Sequence, residues 1–549
     1  MTIGSRSYEK ENPRPVLVDK SARWIVPSIG DLIFIALLGS LAFTTLSVRL
    51  LGDAGIGWHI RTGQLILATH SIPHADPFSS TMAGQSWFAW EWLYDAIVGW
   101  LDKIAGLNGV VFFGACLIAV TFSSTFRLLL RRGTSLPVAL ALVLLAVSAS
   151  MIHFFARPHV VSWLFAVLWF WILDSSERTF VPGRDRRNFL SLLPLLMLVW
   201  VNVHGGFLLG FVLLGIYWLS AAWQWLTLKE DRFDEALQKV RAGKRARNLA
   251  SIGVVSALAT FVNPYGWKLH VHIFRYLSNR FLMDHIDEFQ SPNFHGVAQK
   301  CFAALLLLTL AALAIKEWNA SPLRASELLV VLFAAYSGLY ASRNIPVSSL
   351  LLILVVGPWL SNAGQKLAER FVRLRLTSRS STSSLFLQRM QAIESSLHSH
   401  LWSIAAIVLV SWITFHGGKL GATPLMDAHF DSKRFPVSAV NYLESHQARG
   451  PVFAPDYWGG YLIYRLYPQI RVAIDDRHDF YGETFLKSYL KMVHVEPGWE
   501  DFLHQHEVNS IVVPKDSALA NILAETATWQ LIYGDDVAVI FTPVRPGIP

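Results

Sequence analysis

Apolar runs approaching the length of a bilayer crossing recur from Asp31 to His416, and each ends in a short polar or charged cluster. A helix needs about 20 mostly apolar residues to cross the hydrocarbon core. Backbone polar groups within that core find no water, so every crossing segment must satisfy its own hydrogen bonds as a helix. The rest of the chain agrees: 53% of its 549 residues are hydrophobic and only 16% charged. A mean hydropathy of +0.38 is too high for an ordinary soluble surface. About eleven runs qualify as crossings, some of them short.

The basic residues set the orientation. The net charge is +8, but Lys and Arg gather in short stretches between apolar runs rather than on one soluble face. That pattern argues against nucleic acid as a partner and for cytoplasmic loops rich in Lys and Arg. A tail of residues 1–30, with Arg6, Lys10, Arg14, Lys20 and Arg23, starts inside. Alternation then puts Arg131-Arg132, Arg178 with Arg184 to Arg187, Lys229 to Arg247, Lys316 and Lys366 to Arg389 on that same inner side. The last of these contains a Ser-rich stretch, Thr377 to Ser384, that reads as partly disordered. The expected product is an integral membrane protein in contact with bilayer lipids, amino terminus inside and carboxy-terminal region outside.

One segment breaks the alternation unless it lies in the interface. Glu91 to Ala105, with Trp90, Trp92 and Trp100 about it, suits a helix in the headgroup zone, where indole rings are favoured. The first apolar run is long and lacks a small-residue cleavage site, so it is expected to remain as an anchor. Cys116 and Cys301 both fall inside proposed crossings, which argues against a disulfide or a cysteine metal site.

The expected fold class is therefore an α-helical polytopic membrane protein with a carboxy-terminal soluble α/β domain. Residues 31–418 form the membrane domain, with a first outer loop at 52–107, and residues 419–549 form the outer domain. In that domain Val437 to Gln447, Tyr461 to Tyr467, Phe485 to Met492 and Ala518 to Glu525 read as helices. Val452 to Ala454, Arg471 to Ile474, Ser510 to Val513 and Val537 to Phe541 read as strands.

All the strongly polar helix ends fall on the outer side. Asp53 follows the first run, with Arg49 one turn before and His59 and Arg61 after it. A carboxylate there can deprotonate an acceptor or orient a metal, and the cations can hold a phosphate. Equally, Gly52, Gly55 and Gly57 can make a turn and Asp53 a helix stop. Glu91 beside three indoles resembles a sugar platform, or an aromatic belt with one solvated acid. His153, Arg157 and His159, Asn202 and His204, Asn263 and Tyr265, Asp287 and Glu288, and Arg343 and Asn344 complete the set. Arg157 and Arg343 suit a lipid phosphate, or snorkel to headgroups. The histidines lack the spacing of a zinc site, so no structural metal is expected. A divalent cation is admissible if Asp53, Glu91 and Asp287 or Glu288 converge.

An Asp just after the first crossing, the pair Trp58-His59, the run Pro73-His74-Ala75-Asp76-Pro77-Phe78, an interfacial helix, many crossings and an outer α/β domain together resemble the GT-C glycosyltransferases. The nearer likeness is to their protein O-mannosyltransferase and aminoarabinose-transferase-like branch. The resemblance implies sugar transfer from a polyprenyl-phosphate donor, with the first-loop acid, here Asp53, as the base. Two departures stand out: Ala54 where the family often has a second acid, and Trp90-Glu91-Trp92-Leu93 where it often has Pro-Pro-Leu. Glu91 is the candidate to supply the second acid. The strings WVNVHGG, VNPYGW, DEFQSPN, SRNIP, PDYWGGYL and IDDRHDFYG are similar to those of a large group of bacterial membrane proteins with this layout.

The function expected from these features is transfer of a sugar to a lipid, glycan or protein acceptor at the outer face. Asp53 and Glu91 are its catalytic candidates; His59, Arg61, Arg157, His159, Asn202, His204, Asn263, Tyr265, Glu288, Arg343 and Asn344 are its substrate contacts. Asp456, Tyr457, Trp458, Asp475, Asp476, Arg477 and Asp479 of the outer domain can cover the site or recognise the acceptor, while Gly459-Gly460 can be a fold turn. A transporter or flippase would place ionisable residues at mid-membrane and break helices in pairs; the crossings are nearly free of charge between their ends. A scaffold that merely presents the outer domain leaves so many polar helix ends unexplained.

Overall fold

The computed structural model describes residues 22–178, 189–315, 323–373, 386, 389–394, 396–397, 400–448 and 450–544. The basic residues Arg6 to Lys20, Arg184 to Arg187 and Lys316, and the stretch Thr377 to Ser384, lie outside them. Each expected crossing corresponds to a helix, and among the described residues seven helices are long and apolar enough to span a bilayer. Three more, Phe189–Val201, Ala325–Tyr340 and Leu401–Phe415, are apolar but shorter. The seventh expected crossing is the end of Phe233–Ala259, whose charged first half makes it one continuous rod with the preceding basic loop. The chain is an integral membrane protein.

Local chemistry sets the helix boundaries. The first helix, Ile29–Phe43, opens on a capping box in which Ser28 Oγ accepts the Asp31 N–H at 3.1 Å and Asp31 accepts the Ser28 N–H at 3.1 Å. Asp31 also takes Arg127 at 2.8 Å and Ser403 at 2.6 Å, joining three helices at that end. The helix Trp92–Arg131 has a break at Gly106, where φ is 59°, so residues 92–105 form a separate segment ahead of the crossing. At the expected inner end, Arg132, Asp174, Arg178, Glu177, Arg245 and Glu327 make a largely buried ion-pair network, with Arg178 to Asp174 at 2.9 Å and Arg245 to Glu177 at 2.8 Å. Its charges sit near helix ends.

The expected first outer loop contains a helix where the sequence also allows a turn at Gly52, Gly55 and Gly57. Gly55–Thr69 follows Asp53, whose Oδ1 accepts the Gly55 N–H at 2.9 Å. Its glycines serve packing: a Cβ on Gly57 would lie 2.1 Å from the Gly460 carbonyl oxygen, and one on Gly460 2.3 Å from that of Ala54. Both Gly459 and Gly460 belong to the helix Asp456–Leu466 of the outer domain and not to a turn: Gly460 packs on the start of Gly55–Thr69, and Gly459 against Ile474 and Asp475.

The outer domain has a four-stranded sheet in the order Val452–Phe453, Ser510–Pro514, Ala538–Pro543, Trp529–Gly534. The first pair is parallel and the other two antiparallel. Alternation along Ser510–Pro514 sends Ile511 and Val513 to a core with Phe453, Met492, Phe502, Leu519 and Phe541. Val512 turns the other way, with Val452 and Ile540, into the core shared with the membrane domain. The strand Trp529–Gly534 escapes the sequence reading because much of it is exposed. The strand expected at Arg471 to Ile474 is instead a pair of bridges made by Val472, to Val452 on one side and to Ser79 of the first outer loop on the other.

Candidate functional site

A cavity of about 1210 Å³ opens where the outer ends of the helices meet the outer domain. Asp53, Glu91, Arg157, His159, His204, Glu288, Arg343 and Asn344 all line it, as do Asp456, Tyr457, Asp476 and Asp479 of the outer domain. They come from chain segments hundreds of residues apart, so helix packing and not local sequence assembles the site.

Arg157 is the hub of one wall. Its Nη1 lies 3.0 and 2.9 Å from the two oxygens of Asp53 and 3.2 Å from Asp476 Oδ2. Trp58 Nε1 donates to the other oxygen of Asp476 at 2.8 Å. Burial works against the charge on Arg157, but Asp53 and Asp476 outweigh it and hold the guanidinium well above its ordinary range. Burial pushes Asp476 up to about 6; Arg157 pulls it down and Asp53 adds to the rise. On the facing wall Arg343 pairs with Glu288 at 3.1 Å and lies 4.4 Å over the Phe289 ring. Asn344 is turned back to the Ser337 carbonyl at 3.2 Å. His159 Nε2 bonds the His153 carbonyl at 2.8 Å.

Glu91 ends an unwound stretch just before the helix Trp92–Arg131 and is 8% exposed. Its two carboxyl oxygens face His59 Nε2 and His204 Nε2, each at 3.7 Å. Behind His59, Asp95 Oδ1 sits 2.6 Å from Nδ1. Asp95 lies one helical turn after Glu91, on the same face of the helix; that spacing is the signal by which sequence reasoning, which passed it over, could have found it. Behind His204, Ser162 Oγ is 2.8 Å from Nδ1 and in turn accepts from Trp200 Nε1 at 2.7 Å. Burial pushes Glu91 up to about 8 against the pull of Arg157, and burial likewise pushes His59 and His204 well below the usual imidazole range.

Five sequence candidates stand outside the cavity lining. His59 is fully buried behind Glu91 rather than in the cavity wall. Arg61 donates through Nε to the Tyr464 carbonyl at 2.8 Å and so holds the outer domain. Asn202 accepts from Trp92 Nε1 at 2.8 Å and donates to the Val262 carbonyl at 2.9 Å, tying three segments together. Asn263 closes its own turn, accepting the Tyr265 N–H at 2.8 Å. The Tyr265 hydroxyl accepts the Ala89 N–H at 2.8 Å and donates to Pro73 O at 3.1 Å. A short polar side chain at a helix end satisfies orphan backbone groups before any ligand can reach it, which explains Asn202 and Asn263.

A divalent cation does not fit these residues. Where two carboxylates approach, at Asp53 and Asp476, the Arg157 guanidinium stands between them. Among the described residues no three His, Cys, Asp or Glu side chains are gathered with metal-ligand spacing.

The Pro-x-x-Asp-Pro-Phe run has a structural purpose. Asp76 accepts the Phe78 and Ser79 N–H groups at 3.2 and 2.9 Å and pairs with Arg477 at 2.8 Å. Arg477 also grips Asp475 through Nε and Nη2, both at 2.7 Å, and stacks 4.6 Å over the Trp87 ring. This fully buried pair fastens the outer domain to the first outer loop, which sets Asp476 beside Arg157.

No family model matches the chain, and no curated protein matches it in sequence. Solved structures do resemble it. The archaeal oligosaccharyltransferase AglB from Archaeoglobus fulgidus, in complex with an inhibitory peptide and a dolichol-phosphate, is 12% identical, with a TM-score of 0.53 over 95% of this chain and 74% of that one. An Archaeoglobus fulgidus oligosaccharyltransferase tethered with an acceptor peptide gives 13% and 0.54 over the same shares. ArnT from Cupriavidus metallidurans bound to undecaprenyl phosphate is 14% identical, with a TM-score of 0.48 over 94% of this chain and 97% of that one. The two oligosaccharyltransferase comparisons show that this chain has the GT-C fold, as the sequence resemblance implies.

Proposed function

We propose that this chain, built on the GT-C fold, is a membrane glycosyltransferase that moves a sugar from a polyprenyl-phosphate donor to an acceptor at the outer face of a bacterial inner membrane. The observation that carries this reading is the convergence of Asp53, Glu91, Arg157, Arg343 and Asp476 on one cavity at the outer helix ends. Two cations there suit the phosphate of a lipid-linked donor, and the aromatic walls around Trp90 and Tyr276 suit a sugar ring. The dolichol-phosphate bound by AglB is of the same chemical class as the lipid carrier of such a donor.

In this mechanism Asp53 takes the proton of the acceptor hydroxyl as its oxygen attacks the anomeric carbon, with inversion. Arg157 orients Asp53, and Arg157 with Arg343 stabilises the charge that grows on the departing phosphate. Asp476 makes the outer domain part of the site, so acceptor choice falls to that domain and Glu288, His159 and Asn344 line the rest. The test is mass spectrometry of envelope glycans and polyprenyl-phosphate sugars in a deletion strain complemented with wild type or Asp53→Asn at matched abundance. Wild type should restore a missing glycan while Asp53→Asn leaves its donor accumulated. Full restoration by Asp53→Asn would remove the residue from the chemistry.

A further inference from the structure

Glu91 and His204 present an acceptor and a donor side by side to the cavity. The Gly206 N–H donates to His204 Nδ1 at 3.1 Å, and Ser162 Oγ lies 2.8 Å from the same atom. Nδ1 is therefore an acceptor, the ring is neutral, and Nε2 carries its proton. That Nε2 stands 3.7 Å from the nearer Glu91 oxygen, too far for a hydrogen bond. The Glu91 carboxyl has no hydrogen-bond partner among the described residues, although the residue is only 8% exposed. Ionised or protonated, it keeps an oxygen that accepts. A ligand oxygen about 2.8 Å from both groups can bond to the two at once.

The room beside this pair is kept open. Trp90, next to Glu91, is fixed by edge-on contacts with His272 and Tyr276, its ring centroid 5.4 and 6.4 Å from theirs. A Cβ on Gly205 would meet only the edge of that indole, at 3.8 Å, an ordinary contact. Packing thus does not demand a glycine at 205, and the space it leaves belongs to the cavity that Trp90, Glu91, His204 and Gly205 all line. An indole, an acceptor, a donor and an unfilled space suit a polyhydroxylated ring.

We propose that Trp90, Glu91, His204 and Gly205 form the subsite for the donor's sugar ring, in which one ring hydroxyl donates to Glu91 and accepts from His204 Nε2. This rests on the glycosyltransferase reading and names its sugar class: a ring with a free hydroxyl at the position read. A hydroxyl suits the pair because it both donates and accepts. Hydrogen offers neither bond, and an ammonium has no lone pair for the His204 proton. The four residues belong to the membrane domain, as do Arg157 and Arg343, whereas the outer domain faces the acceptor, so the ring is the donor's. Glu91 is here a specificity-determining residue, while Asp53 takes the acceptor's proton.

The test is native mass spectrometry of the full chain with undecaprenyl phosphate and with its glucosyl, galactosyl, mannosyl and xylosyl derivatives, each also carrying hydrogen or an amine in place of single ring hydroxyls. In wild type at least one glycoside should bind about tenfold more tightly than the bare lipid phosphate, and lose that margin when one hydroxyl is replaced by either group. Glu91→Ala and Gly205→Leu should bring the glycoside to the level of the bare lipid and leave the bare lipid's own binding unchanged. Glu91→Gln, which keeps an acceptor oxygen, should retain part of the margin. A margin that survives in Glu91→Ala overturns the assignment, as does an amine bound as tightly as the hydroxyl. Equal loss of glycoside and bare lipid overturns it too, because the residues would then support the fold and not the sugar. No gain for any glycoside overturns the donor assignment; binding of the matching methyl glycosides to wild type but not to Glu91→Ala would then give the ring to the acceptor. Binding is read without turnover, so a sugar held here while the glycan analysis finds no transfer keeps the subsite and refutes the transferase reading.

Discussion

Replacing Arg477 by methionine should undock the outer domain from the first outer loop. The side chain is 1% exposed and bridges two carboxylates, Asp475 of the outer domain and Asp76 of the loop, that are themselves fully buried. Methionine keeps most of the volume over Trp87 but leaves both acids without their cation. Removing one partner of a buried ion pair costs about 3–5 kcal/mol. Here the lower end applies, because Asp76 keeps two backbone N–H donors and Asp475 keeps the Tyr481 hydroxyl at 2.9 Å. About 3 kcal/mol is about a 150-fold change in the docking equilibrium. Hydrogen–deuterium exchange reads it where loop and domain share backbone bonds: the Ser80 N–H to the Val472 carbonyl at 2.8 Å, and the Val472 N–H to the Phe78 carbonyl at 3.3 Å. Both amides should exchange about 150-fold faster in Arg477→Met, and adding Asp76→Asn should recover part of the loss. Exchange within about threefold of wild type at both amides would refute the claim that this ion pair holds the junction.

Gly57→Ala should destabilise the full chain by about 1–3 kcal/mol in thermal unfolding, since its Cβ would meet the Gly460 carbonyl. Gly39→Ala, with nothing within 4 Å, should leave unfolding unchanged. For His478, burial disfavours the charge, but its bond to Asp456 at 2.7 Å wins and raises it above the usual 6.5. A raised folded value means stability fully present below 6.5 and lost as pH rises through the folded value. Unfolding of the outer domain should therefore ease as pH climbs above neutrality, and Asp456→Asn should flatten that dependence; a profile unaltered by the substitution would refute the pairing.

The crossings, their polar ends and most of the outer domain are legible in the sequence because each leaves a local periodicity. Ala518–Glu525 has the predicted bounds, since Ser517 caps it and its apolar face repeats. The helix Gly55–Thr69 is not legible: three glycines lower its propensity, and only distant groups explain why they are there, the Arg157 and Asp476 side chains for Gly55 and the Gly460 and Asp95 backbones for Gly57 and Gly63. Among candidate ligands, residue type and position at a helix end do not separate His204, which reaches the cavity, from Asn202 two places earlier, which turns to the Val262 carbonyl. Glu91 and Asp53 are visible as lone acids, whereas Asp95 and Ser162 meet His59 and His204 only through helix packing.

The bridges from Val472 to both Val452 and Ser79 make the first outer loop a continuation of the outer domain's sheet. The portion after residue 418 is consequently not a detachable module. A chimera carrying another relative's outer domain would need to bring residues 72–90 with it, and a truncation before that domain would leave an unpaired strand edge at Phe78 to Thr81 open to self-association. Diversification of this half of the protein must proceed through two stretches of gene that change together.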